Sequence, residues 1–101
     1  MTEEAIVTRH ADKRIRERVG VGKKNTKALA DKALKIGLKH GELTGPLRRF
    51  VDSVFFKSRT ASNFRVLHDK VYIFKGTILI TVINLPTKLV KISTKLFKKR
   101  Q

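Results

Sequence analysis

Near residue 63 the spacing of apolar residues changes from a helical period to a strand period. A chain built this way has to lay helices on a sheet. Asn63-Phe64-Arg65-Val66-Leu67 predicts a strand and His68-Asp69 a tight turn. Lys70 to Lys75 predicts a second strand, with Val71 and Ile73 on one face and Tyr72 and Phe74 on the other. Gly76 makes the next turn. Thr77 to Leu85 predicts a third strand, apolar on both faces for much of its length, as suits a covered central position. Pro86 stops it. Two tight turns make this run an antiparallel meander. Strands alone would leave an apolar face in water, so the upstream helices must cover it.

Those helices are marked by period and by caps. Thr8 is the expected N-cap for a helix over Arg9 to Arg18, where Ala11, Ile15 and Val19 form a narrow stripe and Gly20-Val21-Gly22 ends the run. A second helix is predicted from Asn25 or Thr26 to about His40, on Ala30, Ala33, Leu34, Gly37 and Leu38, with Gly41 in the left-handed position after it. A third starts at Pro46 and runs to about Phe56, with Leu47, Phe50, Val51, Val54 and Phe55 on its apolar face and a polar loop at 57–62 behind it. Ala5-Ile6-Val7 either starts a strand or covers a core edge. The expected fold is α+β: about three N-terminal helices packed on a C-terminal three- to four-stranded antiparallel meander. Residues 1–86 would form the single domain and 87–101 a basic tail. Leu89, Ile92 and Leu96 stand at helical spacing among lysines, so the tail is either a short amphipathic helix or a frayed end. It is expected to add affinity for a polyanion without holding the fold together.

Charge narrows the function. The 101 residues carry 24 Lys and Arg against 8 Asp and Glu, a formal net charge of +16. Such an excess is tolerated most easily beside a polyanion, with nucleic acid the first candidate and anionic membrane the second. The membrane-surface reading is the weaker one, because basic charge extends well beyond the amphipathic tail. Residues 47–101 hold net +11 of the total, and 87–101 have six basic residues and no acid. With no Cys and three His, disulfides and thiolate zinc sites are excluded and neither a metal nor another cofactor is expected. The acidic N-terminus and the lack of an apolar run near the length of a membrane span predict a cytoplasmic protein with no membrane partner. Candidate nucleic-acid contacts are Arg9, Lys13, Arg16, Lys23, Lys24, Arg48, Arg49, Arg65, Lys75, Lys98, Lys99 and Arg100. Gly20-x-Gly22 follows a helix and lacks the strand and third glycine of a phosphate loop. His40 reads as a favourable charge at a helix C-terminus and His68 as turn chemistry. Tyr72 and Phe74 read as core, with base stacking on an exposed sheet as the alternative.

Two segments carry a family resemblance. Thr8-Arg9-His10-Ala11, with Arg14 and Arg16-Glu17-Arg18, has the spacing T-x-H-A-x-x-R-x-x-E-R, and Phe64-Arg65-Val66, Val71-Tyr72-Ile73-Phe74 and Leu79-Ile80-Thr81-Val82 follow near the other end. Together they resemble small RelE-like proteins of the barnase–EndoU–RelE type of ribonuclease fold. By order of elements the resemblance covers roughly residues 5–86, and the helical stretch 25–56 is longer than the usual RelE-like pair. It implies RNA-binding with metal-independent endoribonuclease activity, on free RNA or at the ribosome, and an antitoxin-like protein partner. Such cleavage uses the 2′-hydroxyl as nucleophile and needs a base, an acid and cations for the phosphorane charge. His10 would be the acid or base and Arg14, one turn later, would pair with the phosphate. Thr81, with Arg65 and Lys75, would act from the sheet. The rivals are a non-catalytic nucleic-acid-binding module, for DNA or within a ribonucleoprotein, and a basic inhibitor of a nucleic-acid enzyme. Convergence of His10, Arg14 and a basic sheet residue on one concave surface would favour the enzyme, and an isolated His10 the module.

Overall fold

The computed structural model describes residues 4–19, 23–57 and 63–100. In chain order the elements are β1 (Ile6–Val7), α1 (Arg9–Val19), α2 (Lys23–Ile36), β2 (Leu38–Lys39), a 3₁₀ turn (His40–Glu42), α3 (Gly45–Lys57), β3 (Asn63–Leu67), β4 (Lys70–Lys75), β5 (Ile78–Asn84) and α4 (Thr87–Arg100). The strands form one five-stranded sheet in the order β1-β5-β4-β3-β2. β1 runs parallel to β5, and every other neighbouring pair is antiparallel. The expected 58–62 portion of the loop and the 20–22 helix break lie outside the described residues.

Alternation on the central strands divides the core in two. Arg65, Tyr72 and Val82 lie opposite one another, as do Phe64, Ile73 and Thr81 on the other face. Tyr72, Phe74, Leu79 and Val82 pack with Ala11 and Ile15 of α1 and Ala30, Ala33 and Leu34 of α2. Phe64, Val66, Val71 and Ile73 pack with Leu47 and Val51 of α3 and Leu89 of α4. The sheet is therefore the middle of three layers, α1 and α2 on one side, α3 and α4 on the other. Phe97 touches both clusters, so the far end of α4 passes beyond the sheet at the β3–β4 turn. There Ser93 donates a hydrogen bond to the His68 carbonyl (3.0 Å), and the rings of His68 and Phe97 stand 6.2 Å apart.

This corrects the expected three helices on an antiparallel meander. Four helices are present among the described residues, and the meander β3-β4-β5 is the centre of a larger mixed sheet. Two short strands make the difference. Ile6–Val7 forms the parallel edge: the Ile6 N–H donates to the Thr77 carbonyl (2.9 Å), and the Thr8 hydroxyl to that of Leu79 (3.0 Å). The same Thr8 oxygen accepts the Ala11 N–H (3.1 Å) and so caps α1 while pinning it to β5. At the other edge α2 stops at Ile36, four residues before the expected end, and Leu38–Lys39 pairs with Val66 and Arg65. Ladder hydrogen bonds to β3 there replace another helical turn, and Gly41 lies inside the 3₁₀ turn instead of after a helix. His40 is thus not at a helix C-terminus. Its Nε2 lies 2.5 Å from Asp52 Oδ1 of α3 and ties that turn to the second layer. The segment after Pro86 is a 14-residue helix with Leu89 only 4% exposed, so it helps hold the fold together.

Candidate nucleic-acid interface

α4 divides into two faces. Leu89, Ile92, Ser93 and Leu96 turn inward, with Leu89 and Ser93 buried. Lys88, Lys91, Lys95, Lys98 and Lys99 are all exposed. Steps of three, four and three residues keep Lys88, Lys91, Lys95 and Lys98 in one row, about 15 Å long at the α-helical rise. The helix contains no acidic residue, and among the described residues none of these lysines has an ionic partner. At its N-terminal end Lys88 meets Arg49 across an open cleft of about 430 Å³ floored by Pro46, Phe50, Pro86 and Leu89. Arg48 and Arg49 are exposed on α3. The sequence singled out Lys98, Lys99, Arg48 and Arg49 and missed Lys88, Lys91 and Lys95. The signal was present: these lysines each stand one residue before an apolar position of the same helix, at Leu89, Ile92 and Leu96.

A second basic surface lies on α1. Arg9, Lys13 and Arg16 recur at i, i+4 and i+7 and line an open cleft of about 540 Å³ together with Val7, Thr8, Asp12 and Thr26. Acids temper it. Asp12 holds Arg16 at 3.0 Å, and Glu17 stands 4.0 Å from Lys13 and 3.4 Å from Arg14. The side chains of Lys23, Lys24 and Arg100 lie outside the described residues.

The residues expected to carry catalysis do not converge. His10 is exposed on α1, one turn before the partly exposed Arg14. Thr81 lies opposite Ile73, on the sheet face covered by α3 and α4, so the sheet stands between it and α1. Arg65 is on the α1 and α2 face, half-buried, and its Nη1 donates to Asn63 Oδ1 and to the Phe64 carbonyl. Lys75 is exposed at the end of β4, opposite Ile78. Lys70 points to Asp69 at 2.8 Å, a hydrogen bond that holds the Asp69 carboxyl below the usual carboxylate range. Tyr72 and Phe74 are 2% and 0% exposed, so the sheet offers no stacking platform through them. Among the described residues no group of His, Asp and Glu is placed to hold a metal, and no helix is long and apolar enough to cross a membrane. No known protein family, curated protein or solved structure matches the chain.

Proposed function

We propose that the chain is an RNA-binding domain that grips the phosphate backbone with the lysine face of α4, extended by Arg48 and Arg49. The observation that carries this is the row of exposed lysines, with no ionic partner among the described residues, on a helix whose other face is committed to the core. A row of point charges suits a regularly charged polymer, and phosphate contacts supply most sequence-independent affinity. The committed apolar face also argues against the membrane-surface reading, since an interfacial helix must insert that face into lipid. RNA is preferred to DNA on the sequence resemblance. Cleavage is not proposed, because His10 and Thr81 are held on opposite sides of the sheet.

The test is a titration of a labelled RNA duplex at several salt concentrations, with a DNA duplex of the same sequence in parallel. About five neutralised phosphates give a log–log slope of roughly −4.5 on a duplex, or −3.5 on a single strand. Replacing Lys91, Lys95 and Lys98 with Ala should reduce the duplex slope by about 2.7, at roughly 0.9 per contact. Tight binding indifferent to salt would sink the backbone account. Equal affinity for both duplexes would reassign the domain to nucleic acid in general.

A further inference from the structure

The two basic surfaces lie on opposite layers, and that arrangement carries a consequence for what the domain does with RNA. Resting on the RNA-binding reading above, we infer that the chain is a two-sided bridge: α4 holds one RNA duplex and the α1 cleft a second.

α1 packs its Ala11 and Ile15 onto one face of the sheet, and α4 packs its Leu89 onto the core of the other. Arg9, Lys13 and Arg16 sit away from the apolar stripe of α1, as the α4 lysines do on their helix. Helix and sheet layers pack about 10 Å apart, so the axes of α1 and of the Leu89 end of α4, on opposite faces of the sheet, stand roughly 20 Å apart, more than twice the Debye length of about 8 Å at physiological salt. Two backbones held on the two sides barely repel each other at that distance. Nor can one duplex serve both sides. Duplex DNA keeps its direction over about 500 Å, and RNA of A-form is no easier to wrap around a body of this size. A duplex docked on α4 therefore leaves the α1 cleft unoccupied and accessible to another.

The two sites should differ in strength. α4 contains six basic residues and no acid, whereas α1 has five basic residues against Asp12 and Glu17. The α1 ion pairs are exposed, and such pairs contribute little, so Arg16 and Lys13 can exchange carboxylate for phosphate at small cost. Occupation should run in order, α4 first and α1 second.

A capture assay separates the two. A biotinylated RNA duplex is fixed to beads, the full chain is bound and washed, and a fluorescent duplex is added. Wild type should retain the fluorescent duplex. Arg9→Ala with Lys13→Ala should still bind the fixed duplex through α4 but should lose retention of the second by roughly tenfold, having lost two phosphate contacts. Both side chains are exposed, so the variant should keep the wild-type circular dichroism spectrum and Tm. If wild type holds the fixed duplex and retains no second one, the bridge is wrong while RNA binding stands. Retention undiminished in the double variant also overturns it and assigns the bridging to self-association. Failure of wild type to hold even the fixed duplex overturns both readings.

Discussion

Gly37 has no room for a β-carbon. One placed there would lie 2.5 Å from the Ala33 carbonyl oxygen and 2.9 Å from Arg65 Cβ. The first belongs to the backbone of α2 and the second to β3, so neither yields by a side-chain rotation. Gly37→Ala should cost about 1–3 kcal/mol, a fall in Tm of roughly 5–20 °C for a domain this size, and thermal denaturation reads it directly. A Tm within a degree of wild type would mean that α2 and β3 are not packed this closely. Tyr72 gives a second residue-scale prediction. Burial, and after it the Asp69 charge, pushes its phenol up to about 12. In the unfolded chain the phenol titrates near 10. Between those values the unfolded state releases a proton that the folded state keeps. The stabilising contribution is therefore complete below about pH 10 and is lost as pH rises through about 12. Every other ionisable group is common to wild type and Tyr72→Phe, so only the phenol separates the two curves. The wild type should lose more stability than Tyr72→Phe from pH 8 to 12, as read by urea unfolding at each pH. Parallel curves would show that the Tyr72 phenol is not held from water.

At the scale of the element, α4 combines two jobs on two faces, and mutation should separate them. Leu89→Ala empties a buried site in the second core and should cost about 2–5 kcal/mol. Substituting Lys91, Lys95 and Lys98 removes only exposed charge, so stability should move by less than about 0.5 kcal/mol per site while RNA affinity falls. Unfolding curves and RNA titrations on the same two proteins check both halves. Stability loss in the lysine variant, or intact stability in Leu89→Ala, would exchange the roles of the faces. The inward face was visible in the sequence as Leu89, Ile92 and Leu96, but helical spacing cannot say whether an apolar stripe finds a partner. The limits of β3 and β4 were legible because alternation over five and six residues is bounded by turn residues. Two-residue strands have no period, so the sequence leaves Ala5–Val7 open between a strand and a core edge and reads Leu38–Lys39 as helix, and the partners of both lie far along the chain. Leu38 fitted the stripe of α2 at i+8 from Ala30, and only its pairing with Val66 removes it from the helix. Likewise, alternation shows that Thr81 and Ile83 share a face, but not which helices cover that face. The separation of His10 from Thr81 was therefore not readable before the layers were known.

For the whole molecule the governing fact is +16 charge on a body 29 to 33 Å across. Self-repulsion favours the expanded chain, and added salt screens it. The free protein should therefore gain Tm as monovalent salt rises from about 20 to 200 mM, a range over which the Debye length falls from roughly 20 to 7 Å. RNA acts in the opposite sense with respect to salt. A ligand that binds only the folded state at a hundred times its Kd stabilises by about 2.7 kcal/mol, or roughly 10–20 °C in Tm here. That increment depends on counterion release, so it should shrink as salt weakens binding. The Tm of the free protein should thus climb with salt while that of the complex falls toward it, and the two curves should converge. Differential scanning fluorimetry with and without an RNA duplex, across one salt series, measures both. A free-protein Tm that ignores salt would mean that the charges are too well spaced to repel. An RNA increment that stays constant across the series would mean that something other than the phosphate backbone is being held.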